Sequence, residues 1–328
     1  MTPKPRPPVT VAVVPRERFS LLKSCLEAIG RHTSGTFELL IVEANAPPSV
    51  AEQVKQWEAA HPNCRVIRSD RFLYPYEAKN LVLKELETEW AAFVDSDILV
   101  GSNWLTHLMN AAQQTGARVV HPMYLVEQEG QVKVHMTDGR IKRVQKNGRE
   151  LLHLVMGHVA QEVSEAKGLT CRESDFIEFH TFLIRRDLLG KMGPFEPFTL
   201  AEDVHYSLRP RGMQEKVVFE PKAVVTYVAG PPFERYDMPY FRFRWDLGKA
   251  SQNCEQLRQR WPLTEEYCAS KLSWVRYHRS RVFPWFSLRR RWRRRFGKIQ
   301  SCLVGELKRL VPAGIATHLT GAGVKEKR

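Results

Sequence analysis

Cysteine is scarce and scattered. The six thiols, at positions 25, 64, 171, 254, 268 and 302, never come closer than fourteen residues. No Cys-x-x-Cys pair exists for a zinc knuckle or a thioredoxin-type site, so free thiols in a reducing compartment are expected. Long apolar runs are missing too, and none approaches the ~20 residues of a membrane span. The N-terminal stretch to Pro15 is too short and too proline-rich for a signal peptide. A cytoplasmic location follows as the expectation. Internal repeats are absent. The body even lacks net charge, since residues 1–270 carry 34 bases and 34 acids. The formal charge of +14 therefore belongs to the tail, where Lys271–Leu310 holds 13 Lys or Arg against one acid, Glu306. That distribution argues against a nucleic-acid partner for the body. With 328 residues, 43% of them apolar and 26% charged, the chain is neither disordered, collagen-like nor a small disulfide scaffold.

What is present is an alternation of strand and helix patterns. Strand-like runs stand at Val9–Val14, Phe37–Val42, Cys64–Ile67, Trp90–Val94 and Ala117–Val120. Between them, Phe19–Ile29, Val50–Ala60, Tyr76–Leu86 and Trp104–Gln114 read as amphipathic helices. Short apolar strands separated by helices imply a mostly parallel sheet covered on both faces, an α/β fold. In such sheets ligands bind beyond the carboxyl ends of the strands, where Pro15, Glu43 and Asp95 would gather. Farther on, Gly130–Arg149 alternates around Asp138-Gly139 and Asn147-Gly148 and suggests a hairpin. Phe176–Ile184, Val217–Phe219 and Ala223–Val228 read as further strands, with a helix near Leu200–Arg209. Beyond Phe233 the pattern is helical and rich in Trp and Arg.

Two acidic constellations stand out. Asp95-Ser96-Asp97 follows the apolar strand Trp90–Val94, and carboxylates at i and i+2 on a strand end can share a hard divalent cation with a diphosphate. The competing reading is a solvated turn. Glu202-Asp203 opens a helix, where the plain reading is that acids complement the dipole. The functional reading aims one of them into a cleft as a general base. Arg209, two turns on, could hold that carboxylate. His180, flanked by apolar residues, is more often packed than functional; an acceptor contact is the alternative. His153 and His158 read as packed for the same reason.

These residues, in order, carry a resemblance. Pro15 ends the first strand and Glu43 the second. Ala78-Lys79-Asn80 precedes Asp95-Ser96-Asp97, and Phe182–Arg186, Gly193-x-Phe195 and Glu202-Asp203 with Arg209 and Gly212 follow. The series resembles family-2 glycosyltransferases of the GT-A fold, over roughly residues 9–228. The resemblance implies a Rossmann-like, mostly parallel sheet flanked by helices. It divides the chain into a catalytic domain at 1–232 and a helical, basic extension at 233–328. Within the first, residues 9–121 would bind the nucleotide sugar, expected as a UDP-sugar, and 122–232 the acceptor. It implies that Asp95 faces the uridine and ribose, that Asp97 ligates Mg²⁺ or Mn²⁺, and that Pro15, Glu43 and Lys79 lie at the nucleotide. Asp203 matches the catalytic base and Glu202 a supporting acid. The chemistry implied is a single inverting displacement.

Three departures from the family pattern bear on this. Arg16-Glu17-Arg18 replaces the usual Thr-Tyr-Asn-type loop after Pro15. Ala44–Pro48 replaces the frequent Asp-rich loop after the second strand. Tyr227 stands where the late strand often ends in a metal-ligating His. These keep a rival in play, a catalytically inactive GT-A domain serving as a membrane-associated scaffold. In the tail, Trp285, Leu288, Trp292, Phe296, Ile299, Leu303, Leu307 and Leu310 form one helical stripe opposite a face rich in Arg. A basic amphipathic helix over Trp285–Leu310 suits an anionic membrane surface, which makes the protein peripheral and the acceptor a lipid-linked or cell-envelope glycan. The alternative is a stripe packed on the catalytic domain.

Overall fold

The computed structural model describes residues 7–128, 130–230 and 232–282. β1 (Val9–Val14) is buried along its whole length, as a β-branched run at the centre of a parallel sheet must be. It is followed by α1 (Leu22–His32), β2 (Glu38–Ala44), α2 (Pro48–Ala60), β3 (Cys64–Ser69) and α3 (Pro75–Glu85). Next come β4 (Trp90–Asp95), the short β5 (Ile98–Val100) and α4 (Trp104–Thr115). Proline starts α2 and α3, where its missing N–H costs no helical bond, and Gly116 ends α4 with a φ of 68°. The second half holds β6 (Val119–Gln128), β7 (Gln131–Met136), β8 (Gly139–Lys146), β9 (Arg149–Met156) and β10 (Arg172–Glu173). β11 (Thr181–Arg185), α5 (Arg186–Met192), α6 (Glu202–Gly212) and β12 (Val217–Val228) complete the sheet region. The helices α7 (Met238–Arg244), α8 (Leu247–Arg260) and α9 (Glu265–Val282) close the described chain.

The main sheet runs β10-β12-β6-β11-β4-β1-β2-β3, with β5 beside β12 and β7 beside β6. β1 pairs in parallel with β2 and β4, β2 with β3, and β6 with β12, while β11 runs antiparallel between β4 and β6. Val14, Val42, Phe93, Phe182, Leu188 and Tyr206 belong to the buried cluster that fills one face. Burial of each such side chain contributes about 1.5–3 kcal/mol, so the strand ends that carry the acids rest on a firm platform.

The structure departs from the sequence reading in the second half. Asn147-Gly148 is a hairpin turn, with φ of 52° and 69°, and joins β8 to β9. Asp138-Gly139 is not one: β7 pairs with β6, and the Asp138 carboxylate accepts two bonds from Arg172. The strand expected from Phe176 begins only at Thr181. The Phe176 and Ile177 N–H groups donate to the hydroxyls of Ser174 and Ser207, which draws them away from a ladder. The two late strands are one, bulged between Glu220 and Val224 around Pro221. The five described cysteines are free.

The described residues up to His278 form one compact unit. The helices α7, α8 and most of α9 belong to that unit. The Trp285–Leu310 stripe lies outside the described residues. Among the described residues, no helix is long and apolar enough to cross a membrane.

Candidate active site

Backbone bonds and the Ser96 hydroxyl, not the two carboxylates, fix the Asp95-Ser96-Asp97 turn. The Asp95 N–H donates to the His180 carbonyl (2.9 Å) and the Ser96 N–H to the Val14 carbonyl (2.9 Å). The Val228 N–H donates to the Asp97 carbonyl (3.1 Å). Three strand ends thus hold the turn, and both carboxylates are left with no hydrogen-bonded oxygen although all four oxygens are buried. Their electrostatics differ. Arg16 Nη1 lies 3.3 Å and Lys79 Nζ 3.8 Å from Asp95. Burial would raise the Asp95 carboxyl, but Lys79, Arg16 and His180 hold it below the usual carboxylate range. Asp97 has no base within 4 Å among the described residues. Burial, with the charges of Glu17 and Asp95 added, pushes it up to about 7. Burial also lowers the Lys79 ammonium despite Asp95 and Glu202.

The second acid pair sits at the start of α6. Arg16 Nη1 donates to Glu202 Oε1 at 3.1 Å, so one guanidinium bridges Glu202 and Asp95. Arg244 approaches Glu202 at 3.9 Å, stacks on Trp245 and donates to the Thr199 carbonyl. Arg209 does not hold Asp203, as the helical spacing suggests; it pairs with Glu196 at 3.4 Å. The base on Asp203 is Lys271 from α9, with Nζ 3.1 Å from Oδ2. Burial would lower Lys271, yet Asp203, Tyr267 and Glu178 hold its ammonium above the usual range.

The loop that replaces the usual one after Pro15 becomes an internal brace. Pro15 is buried, and the Arg16 N–H donates to Ser96 Oγ at 3.3 Å. Glu17, fully buried, accepts from Arg18 (2.9 Å) and Trp245 (2.8 Å), stands 2.7 Å from His278 Nε2, and meets the Tyr227 hydroxyl at 3.4 Å. Burial would raise this carboxyl, but His278 and Arg18 hold it far below its ordinary range. Tyr227 thus stacks on His180 and donates to Glu17. Glu43 is engaged within its own loop, accepting from the Ala46 N–H at 2.6 Å. It lies opposite Arg68 in the β2–β3 register, and Arg68 with Asp70, Arg71 and Glu77 lines an open depression of about 640 Å³. Asn80 bonds reciprocally to the Phe195 backbone and joins two of the motif segments.

His180 is not merely packed; its ring faces Asp95 and Glu178. His135, Glu178, Lys271, Arg244 and His278 are site residues that sequence reasoning missed. Glu178 had a signal, standing two residues before His180. Lys271 and His278 had none, being 68 and 261 residues from the acids they touch.

The sequence profile of glycosyl transferase family 2 matches residues 10–192, more than half of the chain. The glycosyltransferase AglE of Haloferax volcanii is 20% identical over 232 residues, which cover 69% of this chain and 68% of the relative. Among solved structures, GalNAc-T7 with UDP, GalNAc and Mn²⁺ superposes with a TM-score of 0.52 at 15% identity over 85% of this chain. The mannosyltransferase PcManGT of Pyrobaculum calidifontis, with GDP-Man and Mn²⁺, gives 0.51 at 17% identity over 78%. The matches span 56% and 66% of those two chains. The fold is of the GT-A type, and the chain belongs to glycosyl transferase family 2.

Proposed function

We propose that this glycosyltransferase moves a sugar from a nucleoside-diphosphate donor, a UDP-sugar by its resemblance, to an acceptor hydroxyl with inversion, using Mg²⁺ or Mn²⁺. The observation that carries the reading is the Asp97 carboxylate, buried without a base beside Asp95 at the end of a central strand. An unpaired buried anion costs several kcal/mol, which a bound cation offsets. Buried carboxylate oxygens without partners and an adjacent imidazole nitrogen fit such an ion. The two structural relatives, seen with UDP or GDP-Man and with Mn²⁺, support the donor class and the ion.

Asp97 would hold the cation, with Asp95 beside it. Bound there, the ion supplies Lewis-acid stabilisation of the departing diphosphate. Asp95 and Glu43 accept hydrogen bonds from the nucleotide, Pro15 lines its pocket, and Lys79 offsets phosphate charge. Asp203 takes the acceptor's proton, after its Oδ2 is released by Lys271, while Glu202 orients the acceptor. Arg209 acts on the acceptor side only through Glu196. With Asp203 opposite the leaving group, one in-line displacement inverts the anomeric centre. A lipid-linked or cell-envelope acceptor, and attachment of Trp285–Leu310 to an anionic membrane, rest on the tail's sequence alone.

The test is a panel of UDP- and GDP-sugars with the full chain, with and without Mn²⁺. Thermal stabilisation reports binding to the native state, and glycosylated product with inverted configuration reports transfer. Metal-dependent stabilisation with turnover is the expected result. Stabilisation without turnover on any acceptor would favour the inactive scaffold, and neither effect would overturn the reading.

A further inference from the structure

Among the described residues, His180 pairs with both Asp95 and Glu178. The Thr181↔Val94 register and the Asp95 N–H bond to its own carbonyl fix its backbone opposite Asp95. Its ring is buried, stacked on Tyr227 at 4.4 Å between centroids and 25° between planes. Nε2 lies 3.5 Å from Glu178 Oε1. Nδ1 lies 3.2 Å from Asp95 Oδ2 but makes no hydrogen bond. Ligand atoms of Asp95, Asp97 and His180 fall within 4.8 Å of one another.

Packing leaves the oxygens of Asp97 and His180 Nδ1 buried without a hydrogen bond, whereas the Asp95 oxygens face Arg16 and Lys79 as ion pairs. Each unsatisfied buried polar group costs about 1–3 kcal/mol. A single cation drawing on Asp97 and Nδ1 satisfies those two groups together. An imidazole that ligates through one nitrogen typically donates its other N–H to a carboxylate, and Glu178 stands on that side. Tyr227, which takes the strand position where a ligating His is often found, instead backs the ring that faces the acids.

We infer that His180 is the nitrogen ligand of the cation at Asp97, with Glu178 as its hydrogen-bond acceptor and Tyr227 as its stacking support. The inference rests on the metal-dependent reading above. It moves the nitrogen ligand from β12 to the segment entering β11. It also narrows the ion, because a mixed imidazole and carboxylate set favours Mn²⁺ over Mg²⁺ more than an all-oxygen set does.

The test uses the full chain and Mn²⁺ alone. Free Mn²⁺ is followed by electron paramagnetic resonance, and the bound ion is examined by pulsed methods for nitrogen hyperfine coupling. Wild type should bind Mn²⁺ with imidazole-type coupling. His180→Phe, which keeps an aromatic ring on Tyr227, should lose the coupling and bind about 10- to 100-fold more weakly. Glu178→Gln should keep the coupling with affinity reduced by about 10-fold. Bound Mn²⁺ without nitrogen coupling in wild type, or coupling that survives His180→Phe, would overturn the inference. So would loss of coupling in His135→Phe instead, which would transfer the role to His135. Those outcomes leave the metal reading standing provided Asp97→Asn abolishes binding. If Asp97→Asn binds like wild type, or wild type does not bind at all, the metal reading fails and His180's role with it.

Discussion

The two acid pairs of the site are held in opposite ways. Asp95 ends β4 and Asp97 follows it in a turn whose backbone bonds to three neighbouring segments, and among the described residues Asp97 has no base within 4 Å. Glu202 and Asp203 open a helix, and each carboxylate is already paired: Glu202 with Arg16 and Asp203 with Lys271. In the first pair Asp95 is compensated by Arg16 and Lys79 while Asp97 is left uncompensated in a rigid frame. The second is compensated by bases from elsewhere in the chain, so it must exchange partners before it can work. The difference teaches that buried charge alone does not mark one function. A missing partner points to a ligand, and a removable partner points to a group that acts later in the cycle.

The largest effect should come from the unpaired acid. Asp97→Asn removes the carboxylate that the cation needs, so Mn²⁺-dependent nucleotide binding and turnover should both disappear. Because the native carboxyl is pushed up to about 7 by burial and nearby charge, the metal-free variant should be at least as stable as wild type. Calorimetry of nucleotide binding together with a melting curve checks both. A destabilised variant that still binds nucleotide would mean that Asp97 is a structural turn.

Asp203→Asn should behave the other way round. Turnover should fall by about 10²-fold or more, since the amide cannot accept the acceptor's proton. Donor binding should persist. Stability should drop, because Lys271 loses its anion. Wild-type turnover would move the base to Glu202 and would undo the contrast between the pairs.

Lys271→Met breaks the compensation from the other side. It strands Asp203 without its base, and the melting temperature should fall. In a double-mutant cycle with Asp203→Asn the coupling should be about 0.5–3 kcal/mol, as for contacting charged residues. Additive effects would show that the 3.1 Å contact carries no net interaction.

Much of the first half was legible because its signals are local and periodic. The strands from Val9 to Asp95 and their helices alternate with one rhythm, and Asp95-Ser96-Asp97 announces itself by following a buried strand. The second half misled where side chains took over backbone bonding. Ser174 and Ser207 satisfy N–H groups at Phe176 and Ile177, so an apolar run that looks like a strand is a loop. Arg209 was placed against Asp203 by helical spacing, yet Glu196, from outside the helix, captures it. Contacts such as Glu17 with His278 carry no local pattern, because only the packing of α9 against the sheet region brings them together.

The smallest effect lies away from the acids, at His121. Its ring is fully buried between Tyr124 and Phe219, with Nδ1 3.2 Å from the Pro122 carbonyl and Nε2 unpartnered. Burial lowers it from the ordinary imidazole value of about 6.5 to about 4. The unfolded chain therefore takes up this proton first, between pH 6.5 and 4. The stability contributed by the neutral ring is complete above pH 6.5 and is lost as pH falls toward 4, by at most about 3 kcal/mol. His121→Phe keeps the aromatic contacts and removes both the titration and the unpartnered nitrogen. At neutral pH it should be neutral or slightly stabilising, and between pH 6.5 and 4 its urea-unfolding free energy should fall less steeply than that of wild type. Equal slopes in the two proteins would mean that the acid sensitivity arises elsewhere, with the buried His205 and the partly buried His135 as the next groups to test in the same way.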